Sequence, residues 1–490
     1  MGCRNLFAYL QKTITFYEMR HLIVSVTLVC SVASHAFTQN RIGTGAVDKL
    51  YQSICANCHG ENLNEGLGGS LLDGSSWKEN GQTTTFVEYV KEGNLGMGMP
   101  AFEGALTDAQ IRSLEIYVEE KHQLSTREGR ALVEEEDDVY SAGGYRFTLE
   151  TVVDDLSHPW AIALHPTAGA LITERSGSLR LLQNGILFDP VEGLPEVWAH
   201  GQGGLLEVAM HPEFIRNMWV YLAFSESGGE VDGEAVGMTK IIRGRIMDNQ
   251  WVDEEVIFEV PIEYHRAAGV HFGTRLVFKD GYLFFSIGDR GAMDMAQDLS
   301  RPNGKIHRIF DDGRVPEDNP FAGQPDAYPT VWSYGNRNPQ GLDLHPVTGE
   351  LWSTEHGPRG GDEVNVIEGG NNYGWPKISY GMNYNGTPIT EFTAKPGMEQ
   401  PKHYWTPSIA VCGIDFYEGD IFPKWNNHLL AGGLASKELH LLEIKDGTVV
   451  NDEIILHDVG RVRDVASGPD GYIYLVLNSP DKIVRLVPVD

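Results

Sequence analysis

The sequence predicts a multi-domain protein in which a small all-α domain precedes an all-β six-bladed propeller. The chain has 490 residues, more than a single hydrophobic core usually organises. The pattern from Asp48 to about His122 is helical and ends in the amphipathic segment TDAQIRSLEIYVEEKH. From Tyr145 onward, short alternating strands are separated by Gly, Asp, Asn and Pro turns. These observations together predict the two fold types and their order.

The all-β part contains a loosely repeated turn that leads into a buried strand. Its copies are LHPTAGALITE, MHPEFIRNMWVYLAF, FKDGYLFFSIGDRG, LHPVTGELWSTEHG and GPDGYIYLVLN. Spacings of roughly 45 to 70 residues are typical of propeller blades with inserted loops, and about six blades fit residues 145–490. We expect the segment YRFTLETVV at Tyr145 to pair into the last blade and close the ring.

Two further segments flank the α-helical domain. The apolar stretch at residues 22–32 follows Arg20 and precedes Ser34-His35-Ala36, which predicts a secretory signal peptide at residues 1–36. Residues 1–18 then form an upstream extension before a second possible start at Met19. We therefore expect a periplasmic or secreted protein without a stable membrane span. Residues 123–144, which contain VEEEDD, predict an acidic linker between the domains.

The segment ICANCHG predicts a c-type haem at Cys55, Cys58 and His59. Two thiols three residues apart can add to the haem vinyl groups while the next imidazole binds the iron. A zinc knuckle or a redox dithiol is the alternative, but a zinc site needs a second ligand pair. Met99 is the expected sixth ligand, with Met97 as the alternative, because a Gly-rich loop places both about 40 residues after His59. Residues 42–122 are thus a predicted cytochrome c domain.

The charge of the chain excludes one class of partner. With 38 Lys and Arg against 68 Asp and Glu, the formal net charge is −30, which repels phosphate backbones. We expect no nucleic-acid partner. An acidic surface suits calcium ions and basic electron-transfer partners, although it also simply favours solubility.

Six ordered segments of the β domain carry a family resemblance. They are GQGGLLEVAMHPEF, HFGTRLVF with SIGDRG, SYGNRNPQGLDLHP, EHGPRGGDEVNVIEGGNNYGWP, HYWTPSIA and GRVRDVASGPDGYIY. On these motifs the β domain resembles the soluble aldose sugar dehydrogenases that depend on pyrroloquinoline quinone (PQQ), the family of soluble quinoprotein glucose dehydrogenase. The resemblance implies a propeller enzyme that oxidises the C1 hydroxyl of aldoses to lactones and passes electrons to the haem.

The resemblance also implies a set of site residues. PQQ is a flat tricarboxylate, so its site needs cations and a nearby Lewis acid. Carried over by motif, the quinone and its carboxylates are contacted by Gln202, Arg337, Asn338, Lys437, Arg461 and Arg463. The backbone carbonyls of Gly357 and Pro358 are implied ligands of a catalytic Ca²⁺. A second calcium site is implied at Asp362, Glu363 and Tyr373.

The resemblance assigns the catalytic residues as His271 and Arg337. A neutral imidazole can take the proton of the sugar hydroxyl as hydride leaves C1. In the family an Asp precedes this His, whereas Val270 does here, so the neighbouring residue supplies no carboxylate. We expect an aldose substrate and a downstream electron acceptor, which is a cytochrome, a copper protein or an oxidase.

Two other functions are compatible with the sequence. One is a non-catalytic sugar-binding or docking propeller attached to an electron-transfer cytochrome. The other is a calcium-dependent propeller hydrolase, which needs a carboxylate at the metal to activate water, with Asp289 or Asp362 as candidates.

Overall fold

The structure is a computed structural model that describes residues 45–72, 85–128, 134–136 and 138–489. The predicted signal peptide and its upstream extension lie outside the described residues. The described part contains a small helical domain followed by six β-sheets, as the sequence predicts. None of its helices has the length and apolar character needed to cross a membrane.

The N-terminal domain is built from short helices around one core. Its helices are α1 (Ala46–Ile54), α2 (Ala56–His59), α3 (Phe86–Glu92), a 3₁₀ turn (Leu95–Met97) and α4 (Asp108–Glu128). Thr107 and Gln110 form a reciprocal cap at the start of α4, with N···O distances of 2.9 and 3.2 Å. The core is apolar and includes Tyr51, Phe86 and Leu114.

The C-terminal domain is a ring of six antiparallel sheets. The first sheet contains β4 (Pro159–His165), β5 (Gly169–Glu174), β6 (Ser178–Gln183) and β7 (Ile186–Leu187). The second contains β8 (Leu205–Met210), β9 (Val220–Val231), β10 (Glu234–Met247) and β11 (Gln250–Phe258), with α5 (Phe214–Asn217) between β8 and β9. The third contains β12 (Leu276–Lys279), β13 (Tyr282–Ile287), β14 (Lys305–Phe310) and β15 (Val331–Tyr334).

The remaining three sheets complete the ring. The fourth contains β16 (Pro339–Leu344), β17 (Leu351–Glu355), β18 (Asp362–Ile367) and β19 (His403–Trp405). The fifth contains β20 (Val411–Phe416), β21 (Leu429–Gly433), β22 (Leu439–Lys445) and β23 (Thr448–Leu456). The sixth contains β24 (Arg461–Ser467), β25 (Ile473–Asn478) and β26 (Lys482–Pro488), joined by β1 (Glu134–Glu136), β2 (Val139–Ala142) and β3 (Tyr145–Val153).

The ring closes where the sequence predicts. Strand β3 pairs antiparallel with β26, so residues from the start and the end of the propeller share the sixth blade. The first strands of the blades, β4 to β24, contact one another in order, and β24 returns to β4. Closure leaves this blade without the open edge that an unpaired β26 would expose.

The region expected to be an acidic linker contains regular structure. Helix α4 continues six residues beyond the predicted end of its domain, and β1 and β2 extend the sixth blade. The residues that follow the acidic run explain why this region is structured. Tyr140 stacks on Phe147 with ring centroids 5.9 Å apart, and Ala142 is buried beside Trp425. This short apolar alternation anchors the connection to the blade, so it is not a freely solvated tether over its described residues.

Candidate active site and cofactor pocket

The centre of the candidate active site is a pair formed by His271 and Asp289. The imidazole Nδ1 lies 2.6 Å from Asp289 Oδ1, and the His271 side chain is 14% exposed. Asp289 is almost fully buried and also accepts hydrogen bonds from Trp375 Nε1 at 2.8 Å and Gly291 N at 2.7 Å. The carboxylate that Val270 does not provide therefore reaches His271 from the loop after β13.

The backbone around His271 is held in a strained conformation. His271 has a φ of +54°, in the left-handed region that few non-glycine residues occupy. Its N–H donates to Gln202 Oε1 at 2.8 Å, and the buried Arg290 guanidinium donates to the carbonyl of Val270. These contacts fix the direction of the imidazole, as expected where strain is retained at a functional site.

The charges around His271 favour its neutral form. Burial lowers the pKa of His271, and the nearby Arg337 and Arg290 lower it further, while the hydrogen bond to Asp289 opposes them. With Nδ1 facing the Asp289 carboxylate, the ring carries its proton there and leaves Nε2 as an acceptor.

Arg337 lies beside this pair and is held by two consecutive residues at the end of β17. Its backbone N–H donates to Glu355 Oε1 at 2.7 Å, and its Nη1 donates to the carbonyl of His356 at 2.6 Å. The guanidinium lies 5.6 Å from the ring centre of Trp375. Arg337 is buried, so its charge acts in a site from which bulk water is largely excluded.

His356 lies close to three of the predicted cofactor-binding arginines. Burial lowers the pKa of His356 well below its usual value, and the charges of Arg337, Arg461 and Arg463 lower it further. Its Nδ1 is buried and has no hydrogen-bond partner in the structure. A buried polar atom without a partner, close to several guanidinium groups, is compatible with a site that binds an anionic ligand.

The other predicted quinone contacts occupy different positions around this point. Asn338 is buried, and its Oδ1 accepts from Gly273 N at 3.2 Å. Arg463 Nη1 lies 3.3 Å from Gln340 Oε1, and Arg461 Nη1 donates to the carbonyl of Leu434 at 3.1 Å. Lys437 is exposed on the same loop as Leu434, with a φ of +59°. Arg461 and Arg463 are therefore held by hydrogen bonds to the protein, whereas Lys437 is exposed to solvent.

The Gly357-Pro358 pair lies in a tightly held turn between β17 and β18. Gly357 N donates to Asp362 Oδ1 at 2.9 Å, and the Ser408 hydroxyl donates to the carbonyl of Pro358 at 2.7 Å. A Cβ placed on Gly357 would lie 1.7 Å from the carbonyl oxygen of Gly361. Only glycine fits at this position, so its carbonyl is fixed in direction.

The three residues predicted for a second calcium site are not gathered into one site. Asp362 and Glu363 are adjacent on β18 and therefore point to opposite faces. The Asp362 carboxylate accepts from Gly357 N and Val411 N, whereas the Tyr373 hydroxyl donates to the carbonyl of Val366 at 2.6 Å. Val366 is about 13 Å along the strand from Asp362 at the usual rise per residue.

Glu363 instead faces a second acid across the strand pair. It is the register partner of Glu355, and burial together with Glu355 raises the pKa of Glu363 to about 8. In the described part of the chain, no three His, Cys, Asp or Glu side chains are grouped to hold a metal ion.

The carboxylates that a hydrolase would need are already engaged. Both Asp289 and Asp362 are buried, and each oxygen of either carboxylate accepts at least one hydrogen bond from the protein. Neither is placed to activate a metal-bound water, which removes the support for the hydrolase hypothesis.

The α-helical domain contains a cavity of about 620 Å³ that brings the haem motif together. Its walls are largely apolar, and Cys55, Cys58, His59 and Met99 all line it. Cys55 caps α1, while Cys58 and His59 lie in α2. His59 Nδ1 lies 3.0 Å from the carbonyl of Gly69, a contact that leaves Nε2 available to a metal. These residues fit a haem.

The two candidate axial methionines differ in their surroundings. Met97 is 77% exposed, whereas Met99 packs against the apolar core of the domain. Both line the cavity, and Asn94 holds the loop through backbone hydrogen bonds with Met99 of 2.9 Å. Of the two methionines, only Met99 belongs to the apolar cluster that also contains Cys55.

Comparison with known proteins agrees with this architecture. Residues 156–485 match the Glucose / Sorbosone dehydrogenase family, and residues 44–118 match the family described as cytochrome C oxidase, cbb3-type, subunit III. The aldose sugar dehydrogenase YliI of Escherichia coli is 43% identical over 350 residues, which cover 69% of this chain and 92% of that protein. Quinoprotein glucose dehydrogenase B of Acinetobacter calcoaceticus is 27% identical over 68% of this chain and 85% of its own.

A solved structure gives the same result. The apo form of the soluble aldose sugar dehydrogenase from Escherichia coli superposes with a TM-score of 0.67 at 41% identity, covering 70% of this chain and all of that one. The fold and the site therefore define a sugar dehydrogenase-like propeller preceded by a cytochrome c domain. The chain belongs to the glucose/sorbosone dehydrogenase family.

Sequence reasoning missed three members of the site. The sequence predicts Asp289 only as a hydrolase carboxylate, and it predicts no role for His356 or Trp375, although both lie in the family segment EHGPRGGDEVNVIEGGNNYGWP. The absence of an acid at Val270 was itself a signal. It calls for a carboxylate elsewhere, and the SIGDRG turn carries one at Asp289.

Proposed function

We propose that this chain is an exported quinohaemoprotein that oxidises the C1 hydroxyl of aldose sugars to lactones. In this proposal PQQ and Ca²⁺ bind in the propeller, and a haem c is attached through Cys55 and Cys58. PQQ, when bound, supplies the acceptor for the hydride that leaves C1 of the sugar. The electrons then pass to the haem and on to a cytochrome, a copper protein or an oxidase.

His271 acts as the general base in this reaction. Its Nε2 is the basic atom, because Nδ1 is engaged with Asp289 at 2.6 Å. Asp289 stabilises the imidazolium that forms when the sugar proton is taken, and Gln202 fixes the backbone of His271 through a 2.8 Å hydrogen bond. The other catalytic residue, Arg337, stabilises negative charge that develops beside the base.

The arginines provide the binding energy for the anionic cofactor. Arg461 and Arg463 pair with its carboxylates, with Lys437 at the solvent side and Asn338 near the quinone. The carbonyls of Gly357 and Pro358 hold the catalytic calcium, since hard cations prefer oxygen ligands. For a second calcium we retain Glu363, which faces another buried acid, rather than the set with Asp362 and Tyr373.

One observation carries the proposal. The His271 and Asp289 pair lies within the electrostatic reach of Arg337, which is also one of the three arginines that act on His356. A general base and a binding site for a polyanion thus share one region of the propeller. A purely structural His–Asp pair does not require that arrangement.

The test is reconstitution of the haem-loaded protein with PQQ and Ca²⁺, followed by addition of individual aldoses. We expect haem absorbance to shift to the reduced form only when quinone, calcium and sugar are all present. His271→Ala should abolish this shift, whereas His457→Gln, a histidine paired with Asp458 on the surface, should leave it unchanged. Normal reduction in His271→Ala would contradict the assignment of the base.

The haem ligands are tested separately. Met99→Ala should change the visible spectrum of the reduced haem, because the thioether that raises the potential is lost. Met97→Ala is the matched control on the same loop and should leave the spectrum unchanged. The reverse result would move the axial ligand to Met97.

A further inference from the structure

The cytochrome domain is seated on the propeller through a buried ion pair. Glu120 on α4 accepts from Arg359 Nε at 3.0 and 3.1 Å and from Nη2 at 2.7 Å. The two side chains are only 7% and 11% exposed, respectively. Burial raises the pKa of Glu120, and the guanidinium opposes that change. A bidentate pair in this environment fixes both the distance and the orientation of the groups it joins.

Backbone and apolar contacts surround this pair. Ala46 N, at the start of α1, donates to the carbonyl of Asn385 at 2.6 Å. Met382 of the propeller is fully buried within the core of the cytochrome domain. A Cβ placed on Gly360 would lie 2.8 Å from Ile116 of α4. The propeller loops therefore complete the packing of the helical domain rather than merely touching it.

The propeller loop that contacts the cytochrome domain also contains the Gly357-Pro358 pair. Arg359 follows Pro358 directly, and the amides of Gly360 and Gly361 both donate to Ser408 Oγ, at 2.9 and 3.1 Å. The same hydroxyl donates to the carbonyl of Pro358 at 2.7 Å. Residues 357–361 thus form one rigid turn with the candidate quinone site on one side and α4 on the other.

Helix α4 has residues on both the haem cavity and this turn. Leu114 and Val118 line the cavity, whereas Ile116 and Glu120 face the propeller. A helix with its side chains is about 10–12 Å across, so the cavity lies roughly one helix width from the turn.

We propose that Glu120 is a positioning residue for electron transfer, and that its ion pair with Arg359 holds the haem in the arrangement from which it is reduced. The inference rests on the proposed function. One sugar oxidation releases two electrons, and a haem iron takes one at a time from Fe(III) to Fe(II). The haem is therefore reduced twice per turnover and is reoxidised each time by an external one-electron acceptor, while the two protons pass to solvent.

The test compares Glu120→Gln with Glu119→Gln, its neighbour on α4, which bonds to Gln123 on the same helix. Glu120→Gln leaves the buried Arg359 charge uncompensated, which undocks the domain, so sugar-driven haem reduction should slow by about tenfold or more. Sugar oxidation measured with a small two-electron dye, which takes electrons from the propeller directly, should remain at the wild-type rate. Glu119→Gln should match wild type in both assays.

A structural readout accompanies the kinetics. Hydrogen exchange at the amides of Ala46 and Gly360 should become faster in Glu120→Gln and stay slow in Glu119→Gln. Glu120→Asp, which keeps the charge, should recover much of the haem reduction rate.

A second variant covers the case in which Glu120→Gln fails to fold. Ala46→Pro removes the N–H that binds Asn385, at a helix position where proline is favoured, and Gly45 before it already has the extended ψ of 165°. We expect slower haem reduction with normal dye reduction.

Two results would be decisive against the inference. Normal haem reduction together with unchanged exchange at the amide of Gly360, in Glu120→Gln or in Ala46→Pro, overturns the positioning role alone. Failure of wild-type protein to reduce the dye with any aldose overturns the proposed function, and the inference with it.

Discussion

Two buried His–Asp pairs in the propeller have the same geometry and opposite character. In both, imidazole Nδ1 lies 2.6 Å from the Asp Oδ1, one pair being His271 with Asp289 and the other His440 with Asp452. The pKa of His271 is lowered by its burial and the nearby arginines, against the effect of Asp289. Burial opposes protonation of His440 too, but Asp452 and Glu438 raise its pKa to about 9.

The difference lies at the other ring nitrogen. Nε2 of His440 lies 3.3 Å from Glu438 Oε2, so a second carboxylate stabilises the imidazolium. The neighbours of His271 are Arg337 and Arg290, which disfavour the charged ring. One pair therefore stabilises a charged imidazolium, whereas the other favours a neutral imidazole, which is the form that the proposed function requires. A His–Asp distance alone does not distinguish them.

The largest expected effect is on catalysis. Asp289→Asn removes the charge that orients His271 and stabilises its protonated form, so turnover with aldose and dye should fall by about 10²–10⁴-fold. Asp452→Asn is the matched control in the other pair, and its turnover should stay within about twofold of wild type at a temperature where it is folded. Equal losses in the two variants would contradict the distinction.

The next effect is on stability. Asp452→Asn leaves His440 buried without its main partner, and breaking a buried charged pair costs about 3–5 kcal/mol in the free energy of unfolding. Asp289→Asn should cost less, because His271 is held in its neutral form. Urea unfolding of both variants measures the difference, and a larger loss in Asp289→Asn would reverse the comparison.

The two pairs should also respond to pH in opposite ways. Turnover should rise as pH increases through the lowered pKa of His271, below its usual 6.5, and then level off. The stability that His440 contributes is fully present below about 6.5 and is lost as pH rises through about 9, because its folded pKa is raised. Kinetics and urea unfolding across pH, each in wild type and Asp452→Asn, separate the two transitions. A His440 contribution that persists above pH 9 would contradict the assignment.

The smallest expected effect follows from substituting Glu438, the second carboxylate beside His440. Glu438→Gln keeps a polar group of the same shape but removes one charge, which should reduce the free energy of unfolding by about 1–3 kcal/mol. The alkaline loss of stability should also begin at a lower pH, because the pKa of His440 falls. An unchanged pH profile would show that Asp452 alone holds the proton.

Local patterns in the sequence were sufficient for the fold and for the cofactor motifs. Strand alternation and turn residues predict the propeller, and the pairing of β3 with β26 follows from the need to cover an edge. Thr107 and Gln110 predict the start of α4 because a capping box is a contact three residues long. Each of these features depends on neighbours along the chain or on one general rule.

Local sequence patterns do not predict features that depend on residues far apart in the chain. Glu120 and Arg359 are 239 residues apart, and nothing in either segment indicates the other. The separation of Asp362 from the Tyr373 hydroxyl follows from strand direction, which motif matching does not reveal. The sequence does not predict β1 and β2, because the acidic run in this region has a charge pattern that is typical of a linker.

The closure between β3 and β26 also sets an order of assembly. Strand β3 precedes the other propeller blades in the chain, but its partner β26 follows all of them. The ring therefore cannot close until β26 has been synthesised. The residues that line the cavity of the helical domain are synthesised long before that moment, so this domain can begin to fold before the propeller that contacts it is closed.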